Sequence, residues 1–207
     1  MITLYHLGVS QSDRIVWLLE ELGLPYKLEW YNRGEDGLAP PEYLALHPTA
    51  TAPVIRDGDT VLAESAAICE YLCQRHGQGR FTVGPDQANY ADYLYWMQMN
   101  GNLMALFFSK KTLSDDSPDL MKTLIERREH AYYSYIEQRL GEVDYLAGDE
   151  LTCADIMMMF NLTTLPLAGG RSIDDLPNTQ AYVERVTQRP AYKKAMAIAG
   201  PAATPPA

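Results

Sequence analysis

Two hydrophobic periods divide this chain. Alternation of apolar and polar side chains, the mark of a half-buried strand, occurs only within the first 63 residues. Past that point every long patterned segment repeats with the period of a helix. Such a chain folds as a mixed strand-and-helix unit followed by an all-helical one. Residues 2–6 alternate as a short strand, and residues 13–22 then place Ile15, Leu18, Leu19 and Leu22 on one helical face. Gly23-Leu24-Pro25 stops that helix, with glycine where the chain often turns left-handed and proline just beyond. Residues 26–31 alternate again, Tyr26, Leu28 and Trp30 against Lys27, Glu29 and Tyr31, which completes a β-α-β unit. No G-x-G-x-x-G follows the first strand, so a dinucleotide site is not supported. After a Pro-rich connection with a short helix near residues 41–46, residues 52–63 read as a hairpin about Asp57-Gly58. A helix over residues 65–75 follows, ended by Gly77-Gln78-Gly79. The first unit therefore reads βαβ-ββα over residues 1–77, with a linker at 78–86. Helical segments near 87–113, 119–140, 153–165 and 179–189 make a second domain over 87–200, and the Pro/Ala-rich 201–207 reads as a flexible tail.

Composition narrows the function classes. The formal net charge is −10, and the longest basic runs are the pairs Lys110-Lys111 and Arg127-Arg128. Neither tracks a phosphate backbone or an anionic bilayer, so no nucleic-acid or membrane partner is expected. The N-terminus has no basic stretch ahead of a long apolar one, and no segment reaches the ~18 apolar residues of a membrane span. With three cysteines, Cys69, Cys73 and Cys153, neither paired at C-x-x-C spacing nor even in number, a reducing cytoplasm is the expected location. A metal at Cys69 and Cys73 would need further ligands, and His76 is the one candidate near them, so core packing is the expected role and no metal is proposed.

Three places in the first unit carry possible chemistry. Ser10 stands between the first strand and the first helix, where its hydroxyl and the unpaired N–H groups of the helix suit an anion. Ser10-Gln11-Ser12-Asp13 equally fits a capping box. Pro53 opens a strand, where a trans proline without an N–H is ordinary, whereas a cis Ala52-Pro53 bond would turn the backbone of Ala52 outward toward an extended peptide. Glu64-Ser65, where strand gives way to helix, can be a helix start or a seat for a ligand's carboxylate and amine.

Taken in order, the strand, Ser10-Gln11-Ser12-Asp13-Arg14, Trp17 through Tyr26, Ala52-Pro53-Val54, Asp57-Gly58-Asp59, Leu62-Ala63-Glu64-Ser65-Ala66-Ala67-Ile68 and Tyr71-Leu72 resemble the cytosolic glutathione S-transferases. Thr152-Cys153-Ala154-Asp155-Ile156 matches that family's buried capping box, with Leu151 and Ile156 placed as a hydrophobic staple. The resemblance implies a thioredoxin-like N-terminal domain that binds glutathione, a helical C-terminal domain that supplies the pocket for a small apolar electrophile, and a homodimer. On it, Pro53 is cis, Ala52 pairs with the cysteinyl part of glutathione, and Glu64 with Ser65 holds the γ-glutamyl end. Ser10 matches the activating serine of theta-like bacterial and fungal members, four residues before Arg14. Tyr5 sits in a segment unlike the tyrosine-type classes, and no cysteine precedes Cys69 to act as the beta-class residue.

The implied chemistry is addition of the glutathione thiolate to an electrophile. A free thiol of pKa ~8.5 is mostly protonated at neutral pH, and a hydrogen bond from Ser10 favours the thiolate. Tyr95, Met99, Asn102 and Phe107 on the first long helix are the candidate pocket residues. One departure stands out: where many relatives carry a Lys for the glycyl carboxylate, this chain has Thr51, leaving His47, Asn32 or Arg33 to compensate. Conjugation with some peroxide reduction is the leading expectation. A glutathione-binding regulatory protein or a disulfide reductase of the same fold is the alternative.

Overall fold

The computed structural model describes residues 1–206 and divides into two compact units, Met1–Thr82 together with the segment that begins at Val186, and Val83–Arg185. The first unit contains strands β1 (Ile2–Leu7), β2 (Tyr26–Tyr31), β3 (Val54–Asp57) and β4 (Thr60–Ala63), with helices α1 (Asp13–Leu22), α2 (Pro41–Leu44) and α3 (Ser65–Arg75). The sheet order is β2-β1-β3-β4. β1 runs parallel to β2, as the α1 crossover requires, and antiparallel to β3. This is a thioredoxin-like sheet, matching the βαβ-ββα order read from the sequence.

Because side chains alternate across a strand, β1 feeds two cores. Tyr5 and Leu7 join Tyr43, Val54 and Ala63 in one cluster on the α2 side. Leu4 and His6 therefore face the opposite side, and both are fully buried. α1 ends at Gly23, whose φ of 68° is the left-handed turn the sequence suggested, and Leu24 N–H closes the end on Leu19 O at 3.1 Å. The hairpin turn uses Gly58 at φ 58°.

The second unit carries α4 (Tyr90–Lys111), α5 (Asp119–Leu140), α6 (Cys153–Thr163) and most of α7 (Pro177–Thr187). α6 is buried along its whole length to Leu162, and Asn161 Nδ2 donates to Asn100 Oδ1 of α4 at 2.7 Å. The box at its head is formed: Thr152 Oγ1 accepts from Ala154 N–H, and Asp155 accepts from Thr152 N–H. Asp155 also takes Leu146 N–H and the Tyr182 hydroxyl, each at 2.9 Å. Burial nonetheless raises its pKa, against the pull of those three donors and of the Thr152 hydroxyl, 3.1 Å away.

One element lay outside the sequence reading, which assigned everything from 87 to 200 to the helical domain. α8 (Pro190–Ala199) belongs instead with the first unit and packs on α1. Tyr192 meets the Trp17 ring edge-on at 5.0 Å, and Arg189 makes two bonds, 2.6 and 2.9 Å, to the carboxylate of Glu21. The outer face of α1, left uncovered by the sheet, is thus closed by the end of the chain.

Candidate functional site

The strand register decides which loops can meet. Tyr5 of β1 pairs with Val54 of β3, and Val54 with Ala63 of β4, so the end of β1, the start of β3 and the end of β4 lie side by side. Leu7 pairs with Tyr31 at the same end. Ser10, Ala52-Pro53, Glu64-Ser65 and Asn32-Arg33 therefore all leave the sheet at one edge. His47 and Thr51 lie in the loop that leads into Pro53.

The β1–α1 loop is held in an unusual conformation. Val9, a β-branched residue, has φ of 48°, which costs energy that the surroundings must offset. Arg33 supplies part of that support, with Nε on Gly8 O at 2.9 Å, Nη2 on Val9 O at 3.2 Å and Nη1 on Gly37 O at 3.0 Å. Its guanidinium braces the loop, a role the sequence did not suggest.

Ser10 is buried. Its Oγ donates to Leu7 O at 2.6 Å and lies 2.7 Å from Ser12 Oγ, while Ser12 N–H approaches it at 3.3 Å. The capping box read into Ser10-Gln11-Ser12-Asp13 does not form: the N-cap of α1 is Ser12, with no side-chain cap bond. Val9 turns the loop so that both serine hydroxyls face Leu7 O, 2.6 and 3.4 Å away, instead of the helix N–H groups. Ser12 Oγ also meets His6 Nδ1 at 2.7 Å. Neither Ser12 nor His6 was singled out in the sequence, and no local pattern marks them, since a strand residue and a helix cap meet only once β1 and α1 are folded together.

The Ala52-Pro53 peptide is cis. Glu64 has φ of 73° and is exposed, the N-cap of α3 carries no side-chain cap bond, and Ser65 is buried. The first N–H groups of α3 are therefore not taken by a capping side chain, and a carboxylate at that spot would meet both them and the positive end of the helix dipole. In the loop before Pro53, Thr51 Oγ1 is 3.0 Å from Thr49 Oγ1, which is 2.8 Å from His47 Nδ1. Thr49 N–H also donates to His47 Nδ1, which leaves the ring proton on Nε2. Asn32 is engaged by Trp30 Nε1 at 2.9 Å. On the opposite face of the sheet, the Tyr5 hydroxyl accepts from Arg56 Nε at 3.1 Å.

Within the second unit a cavity of about 460 Å³ opens between α4 and α5. Asn102 lines it, whereas Tyr95, Met99 and Phe107 do not. Met99 is core, Tyr95 is exposed against Trp96 and Tyr135, and Phe107 lies under Lys111 Nζ at 5.6 Å. The apolar wall comes largely from α5, through Leu120, Met121, Leu124 and Ile125. Their helical spacing was visible in the sequence, but only the facing of α5 onto α4 turns it into a wall. Cys69, Cys73 and Cys153 are buried and in no disulfide, and no cluster of metal-ligating side chains occurs among the described residues.

The comparisons with known proteins agree with this geometry. The glutathione S-transferase N-terminal domain family matches residues 10–75, and the glutathione S-transferase C-terminal domain family matches residues 103–190. Glutathione S-transferase 3 of Schizosaccharomyces pombe is 31% identical, over 93% of this chain and 86% of its own length. Glutathione S-transferase GstB of Escherichia coli is 28% identical, over 96% and 99%. A crystal structure of a glutathione S-transferase from Actinobacillus pleuropneumoniae superposes with a TM-score of 0.85 at 37% identity, covering 96% of this chain and 93% of that one. With both halves of the chain matched and the sheet, the loops and the helical domain in the same order, this protein is an enzyme of the glutathione S-transferase family.

Proposed function

We propose that the protein conjugates glutathione to small apolar electrophiles, with Ser10 as the residue that favours the thiolate. The observation that carries this reading is the convergence of Ser10, cis-Pro53 and Glu64-Ser65 at one edge of the sheet, fixed by the strand register. Glutathione lies extended along that edge. Its γ-glutamyl carboxylate takes the first N–H groups of α3 and the Ser65 hydroxyl, and its amine takes Glu64. The cysteinyl backbone pairs with Ala52 beside Pro53, which brings the sulfur to Ser10. The Ser10 hydroxyl turns its proton from Leu7 O to the sulfur. It donates and does not act as a base, so the thiol proton leaves to solvent as the thiolate forms. The thiolate then attacks the electrophile, and the Ser10 hydrogen bond weakens as the new carbon–sulfur bond removes the charge.

The glycyl carboxylate falls to His47 through Nε2–H, since Thr51 brings no charge and the Arg33 donors hold the β1–α1 loop. The electrophile lies against the α4 side chains about Asn102. The enzyme works in the cytoplasm as a homodimer, and the exposed apolar residues of the helical unit, among them Leu94, Phe108 and Leu120, supply surface for its partner.

The test is a substrate panel, an aryl halide, an isothiocyanate, an organic hydroperoxide and a small disulfide, run on the wild type and on Ser10→Ala. Conjugation fastest among the four, and lowered at least tenfold in kcat/KM by Ser10→Ala, is the expected result; a charged hydrogen bond of ~1.5–3 kcal/mol sets that scale. Turnover of the disulfide alone identifies a reductase instead. Retention on a glutathione resin with no turnover of any of the four identifies a binding protein, the reading that Thr51 in place of a cation favours.

A further inference from the structure

We propose that His6 and Ser12 are positioning residues that orient and polarise the Ser10 hydroxyl through a directed chain, His6 Nδ1–H to Ser12 Oγ, Ser12 O–H to Ser10 Oγ, and Ser10 O–H to the glutathione sulfur. The inference rests on the reading of Ser10 given above and extends it two residues inward. The three groups are buried; His6 Nδ1 and Ser12 Oγ are 2.7 Å apart, at the short end for an N–H···O bond, and Ser12 Oγ and Ser10 Oγ are 2.7 Å apart, ordinary for O–H···O.

The direction of the chain follows from the far side of the imidazole. His6 Nε2 is buried with no hydrogen-bond partner among the described residues. A buried N–H without an acceptor is rarer in proteins than a lone pair without a donor, so the ring proton belongs on Nδ1, where Ser12 Oγ receives it. Burial lowers the His6 pKa to about 4, so the ring is neutral at pH 7 and carries one N–H only. The Trp30 ring, 4.3 Å away centre to centre, closes the apolar side of the pocket.

With His6 donating, the Ser12 proton goes to Ser10 Oγ, which also accepts Ser12 N–H. A hydroxyl that accepts two hydrogen bonds and has one proton left is a better donor, because each accepted bond polarises its O–H. That proton points at Leu7 O here and turns to the sulfur by rotation about Cβ–Oγ, with no covalent bond made or broken. Ser12 stands at the N-cap of α1 yet makes no side-chain cap bond. Its hydroxyl is spent on Ser10 and His6, a use that helix capping does not explain.

Two measurements test the chain. The first is the pKa of protein-bound glutathione, followed by thiolate absorbance in the wild type, Ser10→Ala, Ser12→Ala, His6→Leu and His6→Asn, the last of which keeps a donor near the Nδ1 position. Loss of a charged hydrogen bond should raise it by about 1–2 units in Ser10→Ala. Loss of one polarising bond, a tenth to a third of that strength, should raise it by about 0.3 unit in Ser12→Ala and His6→Leu, with kcat/KM about twofold lower, and His6→Asn should restore it. Affinity for S-methylglutathione, which has no thiol to ionise, should stay within about twofold throughout, since a loop that had merely shifted would weaken it. A shift in Ser10→Ala with none in Ser12→Ala or His6→Leu overturns the chain and leaves Ser10 standing. No shift in Ser10→Ala overturns the reading beneath it. The second measurement needs no substitution: nitrogen NMR of the labelled histidines should find His6 as the Nδ1–H tautomer, and the Nε2–H tautomer would refute the direction proposed.

Discussion

At the scale of single residues, the buried imidazole of His6 makes the stability of the fold depend on pH. Unfolded, the ring takes up a proton near pH 6.5; folded, burial holds its pKa at about 4. The unfolded chain binds more protons between those values, so the contribution of His6 is complete above pH 6.5 and is lost as pH falls through 4. From pH 7 to pH 5 the loss is about 2 kcal/mol. Asp13 acts in the opposite sense. Burial raises its carboxyl pKa against the pull of adjacent Arg14, a contribution that fades as pH rises. The comparison must therefore be differential: denaturant unfolding at pH 7 and pH 5 should cost the wild type about 2 kcal/mol more than it costs His6→Asn, and equal losses would mean that His6 titrates normally. Thr51 is the second residue whose chemistry can be read alone. Thr51→Lys should tighten glutathione about one-and-a-half to fivefold, more at low salt, because an exposed ion pair contributes ~0.2–1 kcal/mol. The glycyl end is remote from the sulfur, so the gain should appear in KM and not in kcat. Calorimetric titration at two salt concentrations checks it, and equal affinities would mean that His47 already satisfies the carboxylate. That Ser10, Pro53 and Glu64-Ser65 stand at strand–helix junctions or a strand start was legible in the sequence. The contacts of Ser12, His6 and Arg33 were not, because each depends on a partner from another element.

At the scale of elements, α6 shows how a local pattern becomes a core element. Thr152-x-x-Asp155 announced its start, but only the fold adds Leu146 N–H and the Tyr182 hydroxyl to the same carboxylate. Asp155→Ala leaves those donors and the Thr152 N–H unsatisfied where water has no access. The expected loss is about 3–5 kcal/mol in unfolding free energy, against ~1 kcal/mol for Thr152→Ala, with catalytic constants of the surviving folded protein little changed. An unaltered denaturation midpoint in Asp155→Ala would show the box to be ornamental. The bounds of α1 and α3 were readable because stop signals flank them, Gly23 and Pro25 after one and Gly77 after the other. α8 was not, because Pro190 looks like the end of the preceding helix and is in fact the first residue of the next, a position where its missing N–H costs nothing. The lining of the α4–α5 cavity was the least legible feature. Tyr95, Met99 and Phe107 share a helix with Asn102 but do not line that cavity, although Tyr95 meets Tyr135 of α5, and the facing of two helices is not written in either alone.

At the scale of the whole molecule, the two hydrophobic periods separated a strand-bearing half from a helical half, and that division holds except at the end of the chain. The last helix returns to the first unit because α1 offers it an apolar edge at Trp17 and an acidic pair, Glu20 and Glu21, that meets Lys194 and Arg189. Such tertiary complementarity between residues about 170 positions apart leaves no local trace. The unit so closed holds its four loops at one edge of the sheet, where the Ser10 hydroxyl acts on the glutathione thiol. A pH titration of thiolate absorbance in protein-bound glutathione measures that effect directly. The prediction is a midpoint at least one unit below the ~8.5 of a free thiol, moving back toward that value in Ser10→Ala. A midpoint equal to that of free glutathione, or one that Ser10→Ala leaves in place, would contradict the account.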